Sequence, residues 1–376
     1  MRTPVCDLLG IEFPILAFSH CRDVVAAVTN AGGLGVLGAG THSPEHLEME
    51  LSWIDDQVKG RPYGVDLLLP AKYEGADSGG LDRDAIAARL PAEHVAFVED
   101  MLRRYDVPPL PEGADKVGRL DMSPVSPIGY EPLLDVAFAH PIRLIASALG
   151  APPASLVERA RNAERCVVAA LAGTPEHARR HVEHGAELIV AQGTEAGGHT
   201  GEIATMVLVP DVVDAVSPVP VLAAGGIASG RQLAAAMALG AQGAWCGSVW
   251  LTTDEAETEP VVKEKFLSAT ARDTVRSRSI TGKPARMLRS AWTAEWDSEK
   301  APPTLPTPLQ SALVAEAQMR IIHAGSQSGA ADLAQYFVGQ VVGRLDKVRS
   351  CRQVLLDMVT EYAEVVERFA EQAAAE

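Results

Sequence analysis

Short aliphatic segments alternate with helix-forming segments along the first two thirds of this 376-residue chain, and eight such segments can be counted. Most of them are continuously apolar, which is typical of parallel strands that are covered on both faces. Eight β/α units in about 250 residues is the count and length of a (β/α)8 barrel. We therefore predict an α/β fold, a TIM barrel. A doubly wound sheet remains the alternative, because periodicity does not show whether a sheet closes.

The predicted strands are apolar runs bounded by glycine, proline or polar residues. They are Pro14–Phe18, Leu34–Leu37, Tyr63–Leu69, Ile142–Leu149, Cys166–Leu171, Ala186–Ala191, Val219–Ala223 and Gly243–Leu251. The helices predicted between them are Asp23–Asn30, Pro44–Gln57, Tyr130–Ala139, Pro153–Arg161, Pro175–His184, Ala204–Val216 and Ser229–Leu239. Several begin with a capping residue followed by proline, as at Ser43-Pro44 and Thr174-Pro175, which is the pattern of a helix N-terminus.

Two segments do not follow the alternation. Residues 76–128 contain an amphipathic, charge-rich pattern over Asp82–Tyr105 and then a proline-rich connector, so we predict a helical insertion after strand 3. Beyond residue 270, a proline-rich stretch precedes predicted helices at Leu309–Ile322 and Cys351–Glu371. We divide the chain into a barrel of residues 1–270 and a C-terminal helical extension of residues 271–376 that packs on the barrel.

Composition excludes several classes of function. The formal net charge is −16 and no basic run occurs, which argues against binding of nucleic acid or anionic membranes. Five scattered cysteines, with no Cys/His cluster, indicate reduced thiols and no metal site. No uncharged run approaches the ~18 residues of a membrane span, and the N-terminus lacks the apolar region of a signal peptide. We expect a soluble cytoplasmic protein.

A glycine-rich loop follows the sixth predicted strand and contains one histidine. This segment, Ala191–Gly201, is called the His199 loop below; its sequence is AQGTEAGGHTG. Glycine tolerates positive φ and close approach, so backbone N–H groups of such a loop can face a ligand. A turn of purely structural importance, with a solvated histidine, remains the alternative interpretation.

Two further loops follow the seventh and eighth strands, where barrels commonly bind phosphate. They are Ala224–Gly230, which runs into a helix, and Cys246–Ser248. Free N–H groups and the positive end of a helix dipole favour an anion at such a place. Ser19-His20 at the end of the first strand would face the same mouth. No dinucleotide fingerprint, P-loop or HExxH motif is present.

Together these segments resemble the nitronate monooxygenases, formerly called 2-nitropropane dioxygenases, which are FMN-dependent TIM-barrel enzymes. The His199 loop resembles the signature of that family. In chain order, AGGLG at residues 31–35, YGVDLL at 63–68, AAGGI at 223–227 and GAQGAWCGS at 240–248 match further family segments. The resemblance spans roughly residues 10–255.

The resemblance implies roles by position. Gln192 would contact the flavin ring, and His199 would be the catalytic base or substrate-orienting group beside it. Neutral imidazole suits either role, because it accepts a proton or hydrogen-bonds an anionic nitronate. The remaining cofactor-binding positions would be Gly197, Gly198, Gly225, Gly226, Gly247 and Ser248, which would hold the ribityl chain and the phosphate.

The chain departs from the family pattern at two cofactor-binding places. Leu16-Ala17-Phe18-Ser19-His20 stands where the family usually has Gln-Ala-Pro-Met, and Asp66 stands where asparagine is usual. Ala17, Phe18 and Ser19 would be the cofactor-binding residues of this segment. An ionised Asp66 can only accept hydrogen bonds, so its flavin contact would change. His20 and Lys72 would form a subgroup-specific substrate pocket, with a plain surface location as the alternative.

The function that follows from the resemblance is FMN-dependent oxidation of alkyl nitronates with O2 to carbonyl compounds and nitrite. An NAD(P)H-dependent reductase of quinones or enoyl thioesters on the same scaffold is the first alternative. A flavin-free, phosphate-binding isomerase or lyase is the second, and a scaffold that binds FMN without turnover is the third. The apolar faces of the C-terminal helices leave open whether the protein is a homodimer.

Overall fold

Eight parallel strands close into a barrel, which confirms the predicted TIM-barrel fold. The computed structural model describes residues 1–114, 125–163, 166–327 and 329–374. The barrel strands are β1 Ile15–Ser19, β2 Leu34–Gly38, β3 Gly64–Leu68, β4 Leu144–Ala148, β5 Val167–Ala172, β6 Leu188–Gln192, β8 Val221–Ala224 and β9 Ala244–Cys246. Strand β9 pairs with β1 and closes the cylinder.

The helices follow the strands as predicted and continue into the C-terminal segment. They are α1 Pro4–Leu9, α2 Arg22–Asn30, α3 Pro44–Val58, α4 Arg83–Ala88, α5 Ala92–Arg104, α6 Pro127–Ala139, α7 Ala154–Asn162, α8 Pro175–Glu183, α9 Thr205–Val216, α10 Gly230–Ala238, α11 Pro260–Ser268, α12 Ala291–Trp296, α13 Leu309–Ala324, α14 Ala330–Leu333 and α15 Cys351–Ala374. Their caps act as the sequence indicates: Ser43 accepts from the N–H of His46, and Thr174 from that of His177.

The core has two layers that the barrel wall separates. Leu16, Leu34, Leu144, Val190 and Leu222 fill the barrel interior, and all five are fully buried. The outer layer lies between the strands and the surrounding helices. Side chains alternate between the layers along each strand, since the side-chain period of a strand is two residues.

The insertion contains two helices where one continuous pattern was predicted. Helix α4 ends at Ala88, and α5 begins after Pro91. Proline lacks a backbone N–H and disfavours helical geometry at Leu90, so the helix is interrupted there. Residues 115–124 of the predicted insertion lie outside the described residues.

The eighth barrel strand is shorter than predicted. Strand β9 ends at Cys246, and Ser248–Trp250 form a 3-10 turn. The apolar run continues because Val249 and Trp250 are buried against the helical layer. The hydrophobicity of this segment therefore reflects burial and does not indicate a strand.

The C-terminal segment holds strands as well as the predicted helices. β10 Thr274–Ser277 and β11 Ala285–Leu288 form an antiparallel pair, and β11 also pairs with the two-residue strand β7, Gly198–His199. The final helix α15 lies directly on α10, where a Cβ on Gly230 would come 2.3 Å from the carbonyl oxygen of Met358. The division at residue 270 remains a prediction. Within the described residues, no helix is long and apolar enough to cross a membrane.

Candidate active site

A cavity of about 1320 Å³ opens at the carboxyl ends of the barrel strands. Pockets for small ligands usually measure about 300–1,000 Å³, so this one has room for a cofactor and a substrate together. Residues after β1, β3, β6, β8 and β9 form one side, and the segment after β10 forms another. This is the face of a TIM barrel where active sites are found.

Most of the residues selected from the sequence line this cavity. They are Phe18, Ser19, His20, Asp66, Gln192, Gly197, Gly198, His199, Gly225, Gly226, Gly247 and Ser248. Ala17 is fully buried in the layer outside the barrel. Lys72 is exposed and is not a lining residue, although its carbonyl accepts a hydrogen bond from Nζ of Lys283 at 2.9 Å. The roles assigned to these residues remain predictions.

The His199 loop is held by partners from both sides. Pairing of β7 with β11 places His199 opposite Ala285, and the guanidinium of Arg286 donates from Nε to the carbonyl of Thr194 at 2.8 Å. Within the loop, the Glu195 carboxylate accepts from the N–H and the hydroxyl of Thr205 at the start of α9. Charge-assisted bonds of this kind are strong, so the loop has a defined shape.

The glycine positions fit a ligand that approaches the backbone. Gly225 and Gly226 have φ of +93° and +74°, which other residues rarely adopt. Gly247 is different, because its φ is −114° and a Cβ there would come no closer than 3.8 Å to a neighbour. Neither conformation nor packing requires glycine at this cavity-lining position. The space that it leaves is the space that a phosphate or ribityl group would use.

Contrary to the expectation from the sequence, the first turn of α10 does not line the cavity. Ser229 accepts from the N–H of Gln232 and so caps the helix itself. The lining residues of this loop are Ala224 to Ile227, which precede the helix. Loop N–H groups, and the hydroxyl of Ser248, are therefore the donors that an anion in the cavity would meet. The Ser248 oxygen accepts from the N–H of Gly339 at 2.8 Å, which leaves its hydrogen to donate.

His199 is fixed by a residue that is distant in sequence. Its Nε2 lies 2.8 Å from Oγ1 of Thr281, a buried hydroxyl, and its ring centroid lies 6.2 Å from that of Phe337. Burial, and next the charge of Lys283, lower the pKa of His199 to about 4. The imidazole is therefore neutral at pH 7, and Nδ1 is the ring nitrogen left for a ligand.

Three cations lie near one another beside His199: Lys283 acts on the imidazole, and Arg278 and Lys72 act on Lys283. Lys283 is half-buried and lines the cavity, as does the exposed Arg278. Burial, then the charges of Arg278 and Lys72, lower the pKa of Lys283. The described residues place no carboxylate in ion-pair contact with any of the three. This side of the cavity is suited to an anionic ligand.

Asp66 has an environment that the sequence did not indicate. Its side chain points into the barrel end and lines the cavity, with 2% of the residue exposed. Oδ2 has no hydrogen-bond partner among the described residues. Burial raises the pKa of Asp66 well above its usual range. The expectation for Asp66 was drawn for the ionised form, whereas these surroundings favour the protonated form.

Thr281, Lys283 and Arg286 were missed by the sequence analysis. They follow or belong to the β10–β11 pair, whose short strands mix charged and apolar residues and give no clear periodicity. A signal was present in the local sequence TGKPAR at residues 281–286, in which glycine and proline flank Lys283 and mark a turn.

Comparisons with known proteins agree with this geometry. A family model described as nitronate monooxygenase matches residues 2–361. "Putative monooxygenase Rv1533" of Mycobacterium tuberculosis is 65% identical over 370 residues, covering 97% of this chain and 98% of that protein. A protein of the same organism, named as a hydroxy-methyl-oxo-octahydroindene-carboxyl-CoA dehydrogenase, is 28% identical, with 96% of each chain covered. The structure of a nitroalkane oxidase from Streptomyces ansochromogenes matches with a TM-score of 0.78 at 28% identity, over 97% of this chain and 99% of that one.

Proposed function

The chain belongs to the nitronate monooxygenase family of flavin-dependent oxidoreductases, and from that premise we propose that it uses FMN to oxidise alkyl nitronates with O2, giving carbonyl compounds and nitrite. The observation that carries the proposal is the neutral, anchored imidazole of His199, placed beside Lys283 in a cavity lined by ligand-accessible glycines. A nitronate is an anion, and this arrangement offers it a cation and a hydrogen-bonding ring.

Three groups of residues would hold FMN. The loops with Gly225, Gly226 and Gly247 would receive the phosphate, with the Ser248 hydroxyl as a further donor. Gln192 and Asp66 lie at the barrel end and would face the ring. When bound, the flavin supplies the electron chemistry, taking electrons from the nitronate and passing them to O2.

Within this proposal His199 orients the substrate and is not a strong base. A pKa of about 4 is far below working pH, whereas an efficient general base has a pKa near it. The hydroxyl oxygen of Thr281 lies 2.8 Å from Nε2 and accepts from the N–H of Lys283 at 3.4 Å, and the Lys283 carbonyl is a second acceptor for its hydrogen at 3.3 Å. Within this proposal the hydroxyl donates to the nearer acceptor, Nε2. The imidazole proton is then on Nδ1 and donates to the nitronate oxygen, while Lys283 balances its charge.

Two variants separate the orienting role from the base role. Asparagine offers an N–H donor in place of Nδ1–H, whereas leucine offers none. A hydrogen bond to a charged group contributes about 1.5–3 kcal/mol, so His199→Leu should lose roughly 10- to 100-fold in kcat/KM for a preformed nitronate. His199→Asn should retain much more. Equal, near-complete loss in both variants would point to a proton-transfer role, and full activity in both would remove His199 from the mechanism.

Reduction of a quinone or an enoyl thioester with NAD(P)H is the second candidate, and the cations near His199 favour the thioester. Lys72, Arg278 and Lys283 suit a phosphate-bearing substrate, and one relative carries the name of a CoA-thioester dehydrogenase. Anaerobic mixing of the FMN-loaded protein with propyl-2-nitronate, NADH or NADPH distinguishes the two candidates. Bleaching of the visible flavin band by the nitronate alone supports the oxidase; rapid bleaching by NADH or NADPH alone supports the reductase. A preparation that takes up no FMN contradicts both.

A further inference from the structure

The barrel interior is apolar except where it meets the cavity, and Asp66 is the ionisable group that it contains there. On β3, Asp66 is flanked by Gly38 of β2 and Ala146 of β4 in the strand register. Neither neighbour has a side-chain donor. Only 2% of the residue is exposed and Oδ2 is buried, so solvent offers little hydration to offset the missing donors.

A carboxylate in this position would be very costly. Transfer of an unpaired charge into an apolar interior is so unfavourable that the group normally takes the neutral form instead. Burial raises the pKa of Asp66, and among the described residues no neighbouring cation offsets it. Its Oδ2 has no donor to accept from among the described residues. The surroundings therefore favour the protonated acid.

A protonated carboxyl group differs from a carboxylate in what it offers a ligand. It has one O–H donor and a carbonyl acceptor, as the asparagine amide has a donor and an acceptor. A protonated aspartic acid and an asparagine at the same position are then alike in offering a donor beside an acceptor.

We propose that Asp66 is a neutral carboxylic acid at physiological pH and that its O–H is a hydrogen-bond donor to the bound flavin. The claim that Asp66 donates to flavin rests on the proposed function, since it requires FMN in the cavity. The claim that Asp66 is neutral does not, because it depends on the barrel alone. A neutral donor also favours the electron-rich reduced flavin, which a fixed carboxylate at the same place would repel.

Infrared difference spectroscopy on the FMN-free protein at pH 7.5 tests the neutral acid. We expect a carbonyl band of a protonated carboxyl group that shifts in D2O and is missing from both Asp66→Asn and Asp66→Leu. Two variants are used so that the assignment survives if one of them does not fold. Absence of such a band from the native protein would overturn the proposal.

FMN titration by fluorescence quenching then tests the donor. Asp66→Asn keeps a neutral donor and should bind FMN with a Kd close to that of the native protein, at an unchanged reduction potential. Asp66→Leu lacks the donor and should bind roughly tenfold more weakly, with a lower potential. Native affinity in the leucine variant would refute the donor role. A clear rise in potential in the asparagine variant would show that a negative charge had been removed. If the carboxyl band is present but no form of the protein binds FMN, the proposed function fails while the neutral acid stands.

Discussion

Replacement of Thr281 by valine should impair substrate handling without disturbing the fold. Valine has nearly the shape of threonine, and the site is buried, so packing is preserved. The change removes the hydroxyl that lies 2.8 Å from Nε2 of His199. A typical net hydrogen bond contributes about 1–1.5 kcal/mol, which corresponds to roughly tenfold in kcat/KM. The ring also loses the partner that keeps its proton on Nδ1.

Steady-state oxygen consumption with a preformed nitronate gives kcat/KM, and ¹⁵N NMR of labelled histidine reports which ring nitrogen carries the proton. Thr281→Ser is the matched control, because it keeps the hydroxyl and should retain most of the activity and the Nδ1–H tautomer. Thermal melting verifies that both variants fold. The reasoning fails if Thr281→Val has native kcat/KM, or if the native protein carries its proton on Nε2.

Three further predictions concern other parts of the site. Gly247→Ala should stabilise the FMN-free protein by about 0.4–1 kcal/mol, because the φ of this residue suits alanine. The same change should weaken FMN binding by about tenfold or more, because the methyl group would occupy space that the ligand needs. Native FMN affinity would mean that no ligand uses this space. Lys283→Met should raise the nitronate KM and should raise the pKa of His199, because a repelling charge is lost; an NMR titration of the labelled imidazole measures that pKa, and an unchanged value would show that Lys283 does not act on the ring. Burial lowers the pKa of His181 to about 4, so the unfolded state binds the proton more readily and stability is lost as pH falls from about 6.5 towards 4. Over this pH range the free energy of unfolding of His181→Gln, measured with urea, should fall by roughly 3 kcal/mol less than that of the native protein. An equal fall in both proteins would contradict the assignment.

The barrel was predictable because its strands are buried on both faces. Runs such as Leu188–Gln192 are continuously aliphatic and leave little ambiguity once eight of them alternate with helices. Helix starts were equally readable from Ser43-Pro44 and Thr174-Pro175. The eighth strand was predicted too long, because a buried 3-10 turn is as apolar as a buried strand.

The remainder of the site depends on contacts that local sequence does not encode. The partner of Nε2 in His199 lies 82 residues further along the chain. Strand β7 has two residues and exists only because β11 pairs with it. The pKa of Asp66 is raised by its burial, which its residue type alone does not reveal.

The pairing of β7 with β11 brings residues from two separate parts of the fold into one cavity. The glycine loops belong to the closed cylinder, whereas Thr281 and Lys283 come from the connection between β10 and β11, which contributes nothing to the closure of that cylinder. Residues 274–288 thus lie outside the cylinder but hold the His199 loop through β11 and Arg286. Sequence changes in this hairpin would alter the surroundings of His199 while leaving the strand pairing of the cylinder in place.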